Sequence, residues 1–504
     1  MGSPLEGQAG PVTATSNVVD VEAKVGPWSS GKADAALEFL SAEGTVSVSD
    51  IDEKNLVRKI DWMIMPLMWA CYNLQYLDKV LINYASVMGL LTDTHMDTNE
   101  FSYLALAFYV SYLFFELPTG YLMQRLPTAK YLGLNVILWG LITTLNCTPK
   151  GFPGLLVLRI LLGCFESAIA PALILITSMW YKKNEQPKRM GIWYLGMGTA
   201  TVTGALVAYG LLYYTADRFR SWQLMFLIFG LITIAVGIAV VLFLPDNPMS
   251  SRLTYEEKLV AIERLRENMT GIENKHFKME QFLECWKDPQ TYLIILIVSS
   301  MMVPNGAIGS FSAILIKGFG YTTKQTELLS IPGGVILTIF ILAGTYFAGK
   351  YDQRCLCIVA ILCCGLLGSC LMAFSDKKAA KLVGNYLTNC VGSALPLTYS
   401  IVAANTAGHT KKVTLNAVLL MSFCLGSILG PLTFRTKDAP QYLPAKIAIV
   451  ATVSVSIVAT LALRCYYVFE NRRRDARNEG REHQQNSEFL DLTDIANPEF
   501  RYKL

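Results

Sequence analysis

The sequence WQLMFLIFGLITIAVGIAVVLFL, residues 222–244, contains no charged side chain and is followed at once by the polar turn Pro245-Asp-Asn-Pro248. About 20 apolar residues are enough for a helix to cross the hydrocarbon core of a bilayer. The stretch is therefore predicted to be a transmembrane helix that ends at a membrane surface. The whole chain suits this environment, because 53% of its 504 residues are hydrophobic and 16% are charged, whereas about a quarter of a soluble chain is charged.

Apolar runs of similar length recur along the rest of the sequence, so the chain is predicted to be an all-α membrane protein with twelve transmembrane helices. The predicted spans are 62–90, 101–124, 131–148, 153–181, 190–214, 222–244, 290–316, 325–348, 355–374, 382–404, 413–434 and 447–469.

One long polar stretch, residues 245–289, separates the first six spans from the last six. The sequence therefore predicts two six-helix halves of nearly equal length, 51–244 and 290–469, joined by a cytoplasmic linker. Residues 1–50 are rich in Ala, Gly, Ser and Val and are expected to form a disordered cytoplasmic tail. Residues 470–504 are expected to form a second cytoplasmic tail.

In the first half, Lys and Arg are concentrated in the loops on the side of the termini. Because cytoplasmic loops carry the excess of Lys and Arg, both termini are predicted to be cytoplasmic. The net charge of +4 is too small to indicate a nucleic-acid partner. Most of the twelve cysteines fall in apolar runs without metal-ligand spacing, so we expect no metal and no cofactor. We expect a monomer in the plasma membrane.

Charged residues inside the predicted spans are concentrated in the first half: Asp78 and Lys79 in span one, Glu116 in span two, and Arg159 and Glu166 in span four. Each costs roughly 2.5–3.5 kcal/mol at the centre of a span, so such residues are retained where they pair or function. Two acids and two bases near mid-depth predict proton coupling by the carboxyl groups and binding of a substrate anion by Lys79 and Arg159. A static salt-bridge cluster is the alternative.

Three uncharged residues are candidates for the wall of a substrate cavity. Tyr72 and Tyr76 are four residues apart and share one face of helix one. Asn389 lies near mid-depth in span ten of the second half. Each of these groups could instead hold helices together, which is the commoner role of polar residues in membranes.

The sequences Tyr76-Leu-Asp78-Lys79 and Arg159-Ile-Leu-Leu-Gly-Cys-Phe-Glu166, together with the tail ending Asn497-Pro-Glu-Phe-Arg501-Tyr502, resemble a known family. They are similar to the anion:cation symporters of the major facilitator superfamily, and most of all to its fungal allantoate permease-like branch. The division into six and six spans is typical of that superfamily. The resemblance implies import of a small organic anion with protons, the substrate being a carboxylate such as allantoate, ureidosuccinate, nicotinate, pantothenate, biotin or a dipeptide.

In this family the acids that match Asp78 and Glu166 are proton sites, and the bases that match Lys79 and Arg159 hold the anion. The superfamily's loop signature is altered here, because Gln124 stands where an Asp is usual beside Arg125. We therefore predict that Glu116 takes part in gating together with Arg125.

Two other functions remain compatible with the residues. An efflux carrier for a secondary metabolite would share the fold, since sequence does not fix the direction of transport. A non-transporting nutrient receptor would not need to retain the intramembrane acids and bases. The spacing Gly344…Gly349-Lys350 imitates a nucleotide-binding loop, but Tyr351 follows where Ser or Thr is required. The chain is predicted to be a transporter and not an enzyme.

Overall fold

A computed structural model of the chain describes residues 52–182, 185–214, 219–266, 278–478, 493–497 and 500–504. The expected disorder of residues 1–50 lies outside this part. Fourteen helices are labelled here in chain order. The six of the first half are α1 Glu53–Ala85, α2 Thr98–Arg125, α3 Thr128–Leu145, α4 Phe152–Trp180, α5 Lys188–Leu211 and α6 Ser221–Phe243.

Two short helices follow in the linker, α7 Tyr255–Arg266 and α8 Met279–Lys287. The helices of the second half are α9 Pro289–Gly318, α10 Thr323–Tyr351, α11 Arg354–Phe374, α12 Lys378–Asn405, α13 His409–Leu432 and α14 Leu443–Asn478. In the described part of the chain, nine helices are long and apolar enough to cross a membrane, namely α4–α6 and α9–α14. With α1–α3, which precede them, they form the twelve predicted spans.

Several of these helices are interrupted where the site lies. Helix α4 breaks between Glu166 and Ile169, and a short 3₁₀ segment, Cys390–Ala394, divides α12. Helix α1 passes into a π-turn in which Gly89 has φ of 118°. This left-handed backbone favours glycine, because a Cβ would clash with the neighbouring carbonyl group.

The two halves meet through three helix pairs: α1 with α9, α2 with α13, and α5 with α10. Of the contacts between the halves that involve glycine, the α5–α10 contact brings the two backbones closest together. A Cβ on Gly198 of α5 would lie 2.7 Å from the backbone oxygen of Gly334 and would overlap the side chain of Thr338 on α10. Glycine lets the two backbones approach, as in other membrane helix pairs.

The surface that carries the linker helices is called the linker face, and the other membrane surface is called the opposite face. At the opposite face the halves are in direct contact. The Ser102 hydroxyl of α2 donates to the backbone oxygen of Phe434 at 3.2 Å, and the backbone N–H of Thr436 donates to Asn99 at 3.2 Å. In α9, the N–H of Ala313 donates to Oδ1 of Asn83 in α1 at 2.8 Å.

At the linker face each half forms its own ion pairs. Arg264 of α7 contacts Glu53 at 2.6 Å and Glu185 at 2.9 Å, both in the first half. In the second half, buried Lys411 contacts Asp288 and Asp494, each at 2.8 Å. Between described residues, the ion pairs of this face do not join the first half to the second. The contacts of Ser102, Thr436 and Ala313 across the halves close the arrangement at the opposite face.

Candidate functional site

A cavity of about 40 Å³ lies between the halves, with residues of both halves in its wall. The first half contributes Tyr72, Tyr76, Lys79, Val80, Tyr109 and Met197, and the second contributes Met302, Asn305, Gly309, Gly392, Leu395 and Phe423. The contacts of Ser102 and Ala313 lie further along α2 and α9 toward the opposite face. They separate the cavity from that surface.

Helix α1 supplies the cation of the cavity. Tyr72, Tyr76 and Lys79 recur at intervals of four and three residues, so the periodicity of the helix places all three on the cavity side. The ammonium of Lys79 lies 3.3 Å from Oε1 of Glu166. Lys79 therefore belongs both to the cavity wall and to an ion pair with helix α4.

Three aromatic rings surround the same ammonium. Its Nζ lies 5.9 Å from the ring centre of Phe108, 5.3 Å from that of Tyr112 and 5.8 Å from that of Phe423. Phe423 belongs to α13, so one cation contacts both halves of the protein. Aromatic faces attract cations, and this arrangement holds a lysine whose side chain is 15% exposed.

Asp78 and Arg159 lie behind the cavity wall, inside the first half. One residue along a helix is a rotation of about 100°, so Asp78 points away from the direction of Lys79. It is 2% exposed, and its Oδ1 accepts a 3.1 Å hydrogen bond from the Thr143 hydroxyl of α3. Arg159 is 3% exposed and interacts electrostatically with Asp78 and Glu166. The predicted acids and bases thus form one cluster.

The cluster contains more acid than the available bases neutralise. Glu166 is fully buried, and neither of its oxygens makes a hydrogen bond with a described residue. Glu116 lies close enough to Lys79 to interact electrostatically, and its Oε1 is buried without a hydrogen bond in the described part of the chain. Three carboxyl groups surround two bases, so the cluster has a net charge of −1 when every group is ionised.

The other predicted residues occupy different positions. Arg125 is exposed at the end of α2, with its guanidinium 4.7 Å from the ring centre of Tyr121, away from Lys79. Asn389 faces α10 beside Gly333 and does not line the cavity. The roles of Arg125 in gating and of Asn389 in substrate binding stay predictions.

Asn305 is the amide that the structure places in the cavity wall. Its Oδ1 lies 3.5 Å from the position that a Cβ on Gly392 would occupy, and its side chain makes no hydrogen bond with a described residue. In the sequence, Asn305 is one of several polar residues in the spans of the second half. The feature that singles it out is Pro304, which interrupts the hydrogen bonding of α9 at this level.

Comparison with known proteins identifies the fold and the branch. Residues 68–431 match the family model described as Major Facilitator Superfamily. The chain belongs to the major facilitator superfamily. The allantoate permease of Saccharomyces cerevisiae is 35% identical over 94% of this chain and 91% of its own length. The thiamine pathway transporter of the same yeast is 36% identical over 93% of this chain and 94% of its own.

Another relative is an uncharacterized transporter of Schizosaccharomyces pombe, 38% identical over 97% of this chain and 96% of its own length. Among solved structures, a bacterial homologue of the lysosomal transporter Spinster matches with a TM-score of 0.59 at 16% identity. That match covers 79% of this chain and 96% of the Spinster homologue, whose structure is described as inward-facing and unoccupied. It shows the shared fold alone.

These comparisons confirm the predicted superfamily, the likeness to the fungal allantoate permease-like branch and the all-α fold of two six-helix halves. The protein is an integral membrane transporter that carries a small molecule by alternating access. The cavity between the halves is where such a transporter holds its substrate.

Proposed function

We propose that the protein is a proton-coupled importer of a small organic anion, a carboxylate of the size of allantoate, nicotinate or pantothenate. The observation that carries this proposal is the position of Lys79, which lines the cavity and is paired with Glu166 at 3.3 Å. One ammonium group cannot neutralise both a buried glutamate and a substrate carboxylate. Binding of the anion and ionisation of Glu166 therefore compete for the same cation.

The competition becomes coupling because Glu166 is fully buried. Removing one partner of a buried ion pair leaves an uncompensated charge, at a cost of about 3–5 kcal/mol. When the substrate carboxylate takes Lys79, Glu166 is more stable as a neutral acid and binds a proton. Linkage is reciprocal, so protonation of Glu166 strengthens anion binding by the same factor.

Arg159 and Asp78 form a second pair of base and acid in which anion binding and protonation are linked in the same way. Arg159 interacts with both acids, and Asp78 retains a hydrogen bond from Thr143 when the cation is drawn toward a substrate. With one carboxyl of the cluster protonated the net charge is zero, and with two it is +1, which matches one substrate anion. We propose that Asp78 and Glu166 are the proton sites and that Lys79 and Arg159 hold the anion.

The wall of the cavity favours a substrate with an apolar or aromatic body beside its carboxylate. Tyr72, Tyr76, Tyr109 and Phe423 present rings, whereas Asn305 presents one amide. Pockets for small molecules combine such apolar walls with a few polar groups that fix orientation. We place the linker face in the cytoplasm and the protein in the plasma membrane as a monomer, so that an acidic exterior would drive uptake.

The test uses purified protein in liposomes that contain a pH-sensitive dye. Allantoate, nicotinate, pantothenate, biotin and a dipeptide are supplied outside at acidic pH. We expect one of these acids to cause proton entry in the wild type. Glu166→Gln is expected to abolish that entry while still exchanging the same acid across the membrane, because it resembles a permanently protonated Glu166.

Asp376→Asn is the matched control, since it removes an exposed carboxyl group from the loop before α12. It is expected to behave as the wild type. Substrate-dependent proton entry that persists at the wild-type rate in Glu166→Gln would refute the role of Glu166. Exchange of an acid by the wild type without any proton movement would refute symport, and the cluster would then have a packing role.

A further inference from the structure

A second buried carboxyl group lies outside the substrate site. Glu327, in the second turn of α10, is 0% exposed. Neither of its carboxyl oxygens has a hydrogen-bond partner among the described residues, and the same is true of the hydroxyl of Thr326 beside it. Glu327 is not among the residues that line the cavity. The roles proposed for Asp78 and Glu166 leave it without a function.

Glu327 lies where the two halves touch. Gly334, seven residues further along α10, is on the same helix face and packs against Thr201 of α5. The hydroxyl of Tyr84 in α1 donates to the backbone oxygen of Thr201 at 3.0 Å. Tyr84 also interacts electrostatically with Glu327. Glu327 thus lies on the face of α10 that packs against α5 of the first half, near the opposite face, with Tyr84 of α1 in its neighbourhood.

No Lys, Arg or His among the described residues makes a hydrogen bond with the carboxyl group of Glu327. Lys324, on the preceding turn, places its ammonium 3.8 Å from the ring centre of Tyr213, two residues after the end of α5. The ionisable groups near this end of α10 on the neighbouring elements are Tyr84 on α1, Tyr209 on α5, Tyr213 just after α5, Lys317 on α9, and Lys378, Lys381 and Tyr386 on α12.

An ionised carboxylate without a partner is strongly disfavoured in an apolar site, so the closed arrangement requires Glu327 to be a neutral acid. Separation of the halves at the opposite face would admit water, and a hydrated carboxyl group can ionise. We propose that Glu327 is a proton-binding site that controls closure of the opposite face: the halves close there when Glu327 is neutral and separate when it is ionised.

This proton differs from the transported one. Glu166 binds and releases its proton as the substrate enters and leaves the cavity. Glu327 lies outside the cavity and is buried against the first half when the opposite face is closed. Glu327 would take up a proton from the opposite face before the halves close there. It would release that proton to the same side when they separate, so this proton would not cross the membrane. The inference does not rest on anion binding or on Glu166, and its test needs no substrate.

The experiment measures amide hydrogen exchange of the full-length protein in lipid nanodiscs between about pH 5 and about pH 9, a range that includes the values documented for buried carboxyl groups. The reporter is the segment that contains Thr436, whose N–H donates to Asn99 across the halves. Each rate is divided by the intrinsic chemical rate at that pH. We expect the wild type to exchange about tenfold faster at the alkaline end as the gate opens.

Glu327→Gln mimics the neutral acid and is expected to keep the segment protected at every pH. Glu327→Met tests the same point should glutamine prevent folding, and Glu327→Asp is expected to keep the pH response. Asp376→Asn is the control and should match the wild type. A wild-type rate that does not vary with pH would overturn the proposal. A pH response in the neutral variants equal to that of the wild type would also overturn it.

Discussion

The Lys411→Met substitution removes a buried cation that three carboxylates share. The ammonium of Lys411 lies 2.8 Å from Asp288, 2.8 Å from Asp494 and 3.1 Å from Glu284. Lys411, Asp288 and Asp494 are all 0% exposed. The cluster joins the start of α9, the start of α13, the linker helix α8 and the C-terminal segment. Methionine has a similar length and leaves the carboxylates without a partner.

The cost follows from this burial. Breaking a buried ion pair by removing one partner destabilises the structure by about 3–5 kcal/mol. The C-terminal segment can relieve this cost by detaching, which would expose Asp494 to water. Its remaining ties include a 3.2 Å hydrogen bond from Arg474 to the Tyr502 hydroxyl and a 2.8 Å hydrogen bond from the Asn405 side chain to the backbone oxygen of Lys503. We therefore expect the detached population to rise at least about 100-fold.

Tryptic cleavage within residues 500–504 measures that population, because Arg501 and Lys503 are the cleavage sites. When opening and closing are fast relative to cleavage, the cleavage rate follows the equilibrium population of the open form. Lys411→Met is expected to be cleaved at least about 100-fold faster than the wild type. Lys412→Met is the matched control, since Lys412 is the exposed neighbour, and we expect a change of less than about fivefold.

The effect has a definite pH dependence. Burial raises the pKa of Asp288, and the charge of Lys411 opposes that rise in the wild type. Without Lys411 the pKa of Asp288 rises further. A carboxyl group with a raised pKa in the folded state loses stability as pH rises, so the deficit of Lys411→Met should shrink on acidification. A cleavage rate equal to that of the wild type, or a deficit that grows as pH falls, would refute this reasoning.

Three further substitutions test other parts of the structure. Gly198→Val should force α5 and α10 apart, destabilise the protein by about 1–3 kcal/mol and slow uptake. Gly210→Val is the control, because a Cβ at this position of α5 would lie in open space, and it should not slow uptake. Equal uptake rates for the two variants would contradict this prediction. Hydrogen bonding from Arg264 lowers the pKa of Glu53, so the contact of α7 with α1 should persist at neutral pH and weaken as acid protonates Glu53. In Arg264→Met, hydrogen exchange in α7 should be fast at every pH, and unchanged protection would contradict the contact. Asn305→Leu should raise the KM of uptake about tenfold without altering its pH dependence, and an unchanged KM would exclude a substrate contact.

The spans could be predicted because the length of an apolar run is itself the physical requirement for crossing a bilayer. The charged cluster could be predicted for the same reason, since Asp78, Lys79, Arg159 and Glu166 interrupt runs that are otherwise apolar. Helical periodicity alone also separates Asp78 from Lys79. The hydrogen bond between Asp78 and Thr143 depends on how α1 packs against α3, which no local sequence pattern specifies.

The sequence alone predicts no role for Lys411 or Glu327, which distant parts of the chain bury. Lys411 and Glu327 lie at the ends of spans, where a charge is usually solvated. Lys411 is enclosed because the C-terminal segment brings Asp494 to it, and Glu327 because the other half covers it. Depth in a span does not tell which neighbour a side chain faces: Asn389 lies beside Gly333 of α10, whereas Asn305 lines the cavity.

The positions of Glu327 and Glu166 allow one movement of the halves to affect both residues. Glu327 and Gly334 share one face of α10, and the tight crossing of Gly334 with Gly198 lies between Glu327 and the linker face. A rocking motion about this crossing would separate the helices at Glu327 when it brings them together at the linker face. Hydration of Glu327 would then accompany closure of the path from the cavity to the linker side. Because Lys79 contacts Phe423 of α13, the same motion would also move the cation that Glu166 shares with the substrate. One rigid-body movement therefore links the charge of Glu327 to the charge of Glu166 without requiring contact between them.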